Sequence, residues 1–330
     1  MSIVEAIIKT SVWGPIVLFI IGVPAAIGNA IIFLGVKTFR QSPSSYYVVG
    51  QSIFDFGNLL IVLLESIPST SMNASSIACK LMIYFSQIIG PCAMTFLFLA
   101  TFDRWACTSR SVKIRQLSSI GIARRIFPIP FIFWSLVGIP YLIYCDFIPP
   151  FFTCGFTNVL FAQIAISFLA PIFSVIFPLI ILIIFSILTY RNLHLMTIAN
   201  AQQQSVRTRL SIWEQQITRM MIIQTVLIIS CTMPRCILMI YTIATFNQGT
   251  MKSLNRIYIE TLLDQLTECI MGLDFASSFY IFCLSSSRFR QTIKTSLKRF
   301  FKLGNNQVTS INASRPTAAL TVTNTHGRQN

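Results

Sequence analysis

The sequence predicts an all-α membrane protein, a seven-transmembrane helix bundle with a short amphipathic eighth helix. Seven long apolar stretches divide the chain, at 12–36, 46–68, 77–105, 125–144, 161–189, 217–245 and 256–283. Each can cross a hydrocarbon layer of about 30 Å at about 1.5 Å per helical residue. The 330 residues are 54% hydrophobic and only 11% charged, with mean hydropathy +0.70; a soluble domain carries about 25% charge. The basic residues also segregate. Of 25 Lys and Arg, 20 fall in 37–45, 103–125, 191–219 and 285–330, and four (Lys9, Lys80, Lys252 and Arg256) fall in the alternate segments. Arg235 lies within a helix. By the positive-inside rule the first set is cytoplasmic and the N-terminus extracellular.

The first stretch is too long for a cleaved signal peptide, and no small-x-small site follows it. It reads as the first membrane helix, which leaves 1–11 as an extracellular segment too short to fold alone. Short loops make 12–284 one bundle. In 285–302, Phe289, Ile293, Leu297, Phe300 and Phe301 recur at helical spacing against Arg288, Arg290, Lys294, Lys298 and Arg299. That pattern predicts an amphipathic helix lying on inner-leaflet lipid. Residues 303–330 are polar, lack apolar periodicity and are expected to be disordered. The net charge of +15 does not predict a nucleic-acid partner, because the excess faces anionic headgroups and the cytosol. An enzyme is not expected: the chain has no nucleophile–base pair, phosphate loop or metal set. A transporter or channel would show inverted repeats, and no repeat is found. Of nine cysteines, Cys79, Cys145 and Cys154 lie near the outer face, where disulfides form; these positions leave the pairing open.

Charges inside a membrane mark function or a buried partner. Asp103-Arg104 ends the third helix, and Cys79 lies 25 residues earlier, about 38 Å up the helix. The arginine therefore sits at the inner rim and the cysteine at the outer one. A guanidinium there can pair with carboxylates from Asp103 and Glu214. Asp55 lies mid-way along the second helix, where Asn29, Ser278 and Asp274 can complete a polar core. Glu65, Arg235, Asp264 and Glu268 occupy the outer halves, with Asp264 and Glu268 on one helical face.

Several motifs in order resemble the rhodopsin-like (class A) G-protein-coupled receptors. Asp103-Arg104-Trp105 looks like the family's Asp-Arg-Tyr. Gly28-Asn29, Asp55, Trp134 and Pro178 match landmarks of helices one, two, four and five. Cys231-Thr-Met-Pro234 resembles Cys-Trp-x-Pro, with Thr232 at the tryptophan's place. Ser278-Phe279-Tyr-Ile-Phe282 resembles Asn-Pro-x-x-Tyr with all three named residues replaced. The resemblance covers about 12–302. It implies a plasma-membrane receptor of the peptide-receptor-like branch, which binds an extracellular ligand and activates a heterotrimeric G protein. The expected ligand is a neuropeptide or another small ligand with a cationic group. A chemosensory or odorant receptor of the same fold is the alternative.

The resemblance also implies site roles. Asp103, Arg104 and Glu214 form an ionic latch for G-protein coupling. Glu65, Ser86, Arg235, Asp264 and Glu268 line the ligand pocket; Ser86 replaces the aspartate of amine receptors. An internal Arg235–Glu268 ion pair that only sets helix packing is the competing reading. Asn29, Asp55, Asp274 and Ser278 form a polar core of the kind that holds Na⁺, and a proton shared between carboxylates is its alternative. Gly272 stands where opsins carry the retinal lysine, so no retinal is expected. Cys79 pairs with Cys154. The tail hydroxyls serve a receptor kinase and arrestin. The sequon at Asn73 accepts a glycan on the outer side.

Overall fold

The computed structural model describes residues 3–66, 75–148, 153–202, 212–245, 253–287 and 289–295. Seven helices are long and apolar enough to cross a membrane. They are α1 (Ile3–Gly35), α2 (Pro43–Ser66), α3 (Ser76–Thr108), α4 (Ile120–Tyr144), α5 (from Val159), α6 (Ile212–Thr245) and α7 (Leu254–Ser285). Short helices at Lys37–Arg40 and Val112–Leu117 lie in the α1–α2 and α3–α4 connections. Within α5, α-helix Val159–Ile164 widens to π-helix over Ala165–Ile176, around Pro171, and returns to α-helix over Phe177–Gln202. Residues 3–287 belong to one compact unit.

One boundary differs from expectation. α1 begins nine residues before the predicted start at 12, because Glu5 and Lys9 pair at 2.7 Å as i,i+4 neighbours of a helix. Residues 287 and 289–295 are helical and fall within the predicted eighth helix at 285–302. Its start is set by Ser286, whose φ of −132° and ψ of 110° end α7. The predicted remainder at 296–302, the tail at 303–330 and Asn73 lie outside the described residues.

The bundle closes on a core to which six helices contribute. Leu18, Leu59, Leu97, Leu182, Ile228 and Phe275 come from α1, α2, α3, α5, α6 and α7 in turn. α4 attaches through Trp134, which packs on Ile88 and Cys92 of α3 and donates its indole N–H to Thr95 Oγ1 at 2.9 Å. Lipid is as apolar as leucine, so helix contact in a membrane relies on close backbone approach at small residues. Gly22 shows this: a Cβ there would stand 2.4 Å from Leu59 Cδ1 and 3.2 Å from the Ala276 Cα. Large apolar side chains such as Ile20, Ile31, Leu136 and Ile237 stay exposed on the outside of the bundle, the surface that acyl chains cover.

One element is absent from the all-α expectation. Strands β1 (Cys145–Ile148) and β2 (Thr153–Phe156) form an antiparallel hairpin between α4 and α5, with Phe147 opposite Cys154. A disulfide joins Cys154 to Cys79 near the start of α3, with Cα atoms 5.7 Å apart. Asp146 adds a polar tie to α3. It accepts from Ser76 Oγ at 2.5 Å and from its neighbour's N–H, and pairs with Lys80 at 3.2 Å. The Ser76 hydroxyl, the Phe147 amide and Lys80 hold this carboxyl below its usual range. Cys145 remains a buried thiol.

Candidate functional site

Polar side chains cluster at three levels of the bundle. At the C-terminal end of α3, Asp103 and Arg104 are both buried. Arg104 Nη2 donates to Asp103 Oδ2 at 2.8 Å and to Ser42 Oγ at 3.0 Å. Asp103 also accepts from the Ser44 hydroxyl at the start of α2, and from Ser118 Oγ, between Val112–Leu117 and α4, at 2.7 Å. One carboxylate thus gathers α2, α3 and the α3–α4 connection. Glu214, in the first turn of α6, acts on the Arg104 guanidinium through the electrostatic field. Arg104 Nε and Nη1 are buried and have no hydrogen-bond partner among the described residues. A buried guanidinium with open donors is ready for a further acceptor.

At the middle level the polar core expected around Asp55 does not hydrogen-bond Asn29 or Ser278 to its carboxylate. Instead Asn29 Nδ2 donates to Ser278 Oγ at 2.7 Å, tying α1 to α7. Both Asp55 carboxylate oxygens are buried without a hydrogen-bond partner among the described residues, as are Asn29 Oδ1 and Asp274 Oδ1. Asp274 Oδ2 accepts from Thr232 of α6 at 3.0 Å. Thr232 therefore links α6 to α7. A turn nearer the inner end than Asp55, Gln51 faces Gln224 of α6, whose Nε2 stands 3.5 Å from Gln51 Oε1. Gln224 Oε1 is another buried acceptor without a partner among the described residues.

At the outer level Arg235 bridges α6 to two carboxylates on α7. Its Nη1 binds the Asp264 carboxylate and its Nη2 lies 3.3 Å from Glu268 Oε1. The side chains are unequally covered: Arg235 is 11% exposed, Asp264 51% and Glu268 57%. Glu65, near the outer end of α2, is close enough to Glu268 for their charges to interact. Pro234 has no N–H to give the Ser230 carbonyl, so α6 lacks one internal bond immediately before Arg235. Ser86, half-buried on α3, joins none of these ion pairs.

The structure brings together Asp103 with Arg104, Asn29 with Ser278, and Arg235 with Asp264 and Glu268. Sequence reasoning missed Ser42, Ser44 and Ser118 as partners of the inner pair, and the Gln51–Gln224 contact. The run Gln41-Ser-Pro-Ser-Ser reads as turn chemistry, and no spacing rule assigns its hydroxyls to a carboxylate on another helix. Gln51 and Gln224 carried a visible signal, an amide inside an apolar stretch.

Seven membrane helices with a buried Asp-Arg pair at one end and a disulfide-tied hairpin at the other define a membrane receptor fold. The model of the seven-transmembrane receptors of the rhodopsin family matches residues 28–272. The chain belongs to this family of G-protein-coupled receptors, which are receptors rather than enzymes, take an extracellular ligand and signal through G proteins. No curated protein matches the chain.

Proposed function

We propose that this receptor sits in the plasma membrane with its N-terminus outside, is switched by an extracellular ligand carrying a cationic group, and hands the signal to a heterotrimeric G protein at its inner end. A neuropeptide suits this description best. One observation carries the reading: Asp264 and Glu268 share the guanidinium of Arg235, and Glu65 stands close enough to Glu268 for their charges to interact. Asp264 and Glu268 carry more negative charge than Arg235 neutralises, in a half of the bundle where carboxylates need a partner or water. A ligand cation supplies that partner and competes with Arg235 for Glu268 and Asp264. Release of Arg235 frees α6 from α7 next to Pro234. A ligand shifts an equilibrium only by its differential affinity for the two states. Here the difference is an Arg235 bridge present in one state and exchanged in the other.

At the inner end, α6 carries Glu214 toward or away from Arg104. With α6 close, Asp103 and Glu214 hold the guanidinium; with α6 displaced, its open donors meet the G protein. The middle cluster offers oxygens from Asp55, Asn29 and Asp274, a donor set that suits a hard cation such as Na⁺. Those residues would hold the ion, which would neutralise the buried carboxylates; a proton shared by Asp55 and Asp274 is the competing arrangement. Tail Ser/Thr phosphorylation by a receptor kinase would recruit arrestin, and Asn73 is the glycan acceptor.

The test is a library of cationic peptides and amines screened with a second-messenger reporter in cells expressing wild type, Glu268→Gln and Glu214→Ala. The reading expects a cationic activator whose potency falls in Glu268→Gln, and raised ligand-free signalling in Glu214→Ala. Equal potency on wild type and Glu268→Gln removes the acidic pocket. Unchanged basal output in Glu214→Ala removes the latch.

A further inference from the structure

Between the outer halves of α6 and α7 lies a cavity of about 710 Å³, within the range of about 300–1,000 Å³ usual for small-molecule sites. Its walls are aliphatic: Ile237 and Leu238 from α6, Ile259 and Leu263 from α7. Ile237 and Ile259 are also exposed on the outside of the bundle, so the walls continue into the surface that lipid covers. The floor is formed by Pro234 and Thr267, the sequence neighbours of Arg235 and Glu268. From Arg256 to Thr267 the α7 wall is eleven residues, about 16 Å deep at about 1.5 Å per residue.

The other end of the cavity is polar and lies at the helix ends, where the headgroup region begins. Tyr241, Arg256 and Glu260 all line it. Arg256 Nη2 donates to the Tyr241 hydroxyl at 2.8 Å, and Arg256 Nε donates to Glu260 Oε1 at 3.0 Å. The Tyr241 hydroxyl donates to the same carboxylate oxygen at 2.9 Å. The guanidinium also stands 5.9 Å from the centre of the Tyr241 ring. Among the described residues this mouth presents one full positive charge, one full negative charge and an aromatic face. An anionic group alone would meet Arg256 but be repelled by Glu260. A cationic group alone would meet Glu260 and the ring but be repelled by Arg256. A head carrying both signs satisfies both, with phosphate on Arg256 and ammonium on Glu260 and the Tyr241 face.

From the aliphatic shaft, its amphoteric mouth and their placement at the lipid boundary, we infer that this groove is a binding site for a zwitterionic phospholipid of the outer leaflet, headgroup at Arg256 and Glu260 and one acyl chain between Ile237 and Leu263. The site rests on the outward orientation proposed above and not on the ligand's charge. An acyl chain reaching Pro234 and Thr267 braces α6 against α7 beside the Arg235 bridge, so occupancy favours the bridged state.

The experiment uses the purified full-length receptor in detergent, exchanged with equal amounts of phosphatidylcholine and phosphatidylglycerol and weighed intact by native mass spectrometry. Wild type is expected to retain phosphatidylcholine over phosphatidylglycerol by about tenfold, the discrimination of one charge-assisted contact. The double variant Arg256→Gln/Glu260→Gln should lose the preference. Leu263→Trp, which fills the shaft and leaves the mouth intact, should lose the retained lipid. Ile132→Trp on the exposed face of α4 should change nothing, which separates the site from general lipid coating. Equal retention of the two lipids by wild type overturns the inference, as does a Leu263→Trp protein that holds as much phosphatidylcholine as wild type. Because the readout needs neither ligand nor G protein, its failure is distinguishable from failure of the cation reading.

Discussion

Replacing Arg235 by methionine keeps most of the side chain's bulk and removes the cation that pairs with Asp264 and Glu268. At 3.3 Å and an effective dielectric of about 20, the Arg235–Glu268 attraction is about 5 kcal/mol before desolvation. The net value is smaller. Breaking a buried pair costs about 3–5 kcal/mol and an exposed pair contributes about 0.2–1 kcal/mol. With Arg235 11% exposed and its partners 51% and 57% exposed, the bridge lies between those limits, at about 1–3 kcal/mol. If the bridge restrains α6, its loss shifts the closed–open equilibrium by that amount, or about five- to hundredfold at about 1.4 kcal/mol per decade. The assay is ligand-free nucleotide exchange on a purified G protein, with wild type and Arg235→Met in lipid nanodiscs at matched amounts of folded receptor. Basal exchange should rise. The charge-swapped Arg235→Glu/Glu268→Arg receptor should return part of the way toward wild type, and the cycle of single and double variants gives the coupling directly. Unchanged basal exchange in Arg235→Met, or a swap no better than the sum of its single changes, refutes the restraint and leaves the bridge as packing.

Three further outcomes follow from the geometry. Thermal stability of the purified receptor should rise when choline chloride is replaced by NaCl at equal ionic strength, and Asp55→Asn should abolish that rise; a sodium response that survives in Asp55→Asn places the ion elsewhere. Gln224→Leu alone should cost about 1–3 kcal/mol, because it strands the Gln51 amide, whereas Gln51→Leu/Gln224→Leu together should be close to neutral or stabilising; melting curves in one detergent compare them, and a double variant as damaged as the single removes the pairing. Burial raises the Cys145 thiol to about 11 against the opposing effect of Lys80, so on the order of one molecule in thousands carries the reactive thiolate at pH 7.4. Maleimide labelling of Cys145 should therefore be negligible near neutrality and grow as pH approaches 11. The unfolded chain loses that proton first, near about 8.5, so the thiol leaves stability untouched below that pH and lowers it above. Rapid labelling of folded receptor at pH 7.4 would show an exposed or activated thiol.

The seven helices were legible because each apolar stretch must satisfy its backbone internally across lipid, a demand no soluble segment meets. The core acids were legible for the same reason: Asp55 and Asp274 are costly in lipid and stand out in apolar runs. Their partners were less so. Asn29 was readable as a polar-core residue, but its choice of Ser278 over Asp55 depends on how closely α1 approaches α7, which Gly22 and Ala276 set. The start of α1 was hidden because Glu5 and Lys9, read singly, look like a hydrated tail; read as a pair, they extend the helix. The hairpin at Cys145–Ile148 and Thr153–Phe156 has strands of four residues, too short for alternation to separate from a loop. The serines around Asp103 carry no signal of their own, since a loop hydroxyl acquires a role only when the fold brings a carboxylate to it.

The Asp103 carboxylate has a mechanical consequence. Its two oxygens serve Ser44, Ser118 and Arg104 at once, and Arg104 in turn holds Ser42. A shift that pulls one of these away weakens the grip on the others, since they share a single charge. This end of the bundle is therefore built to yield as a unit, and a protein that pries at either loop gains leverage over the whole.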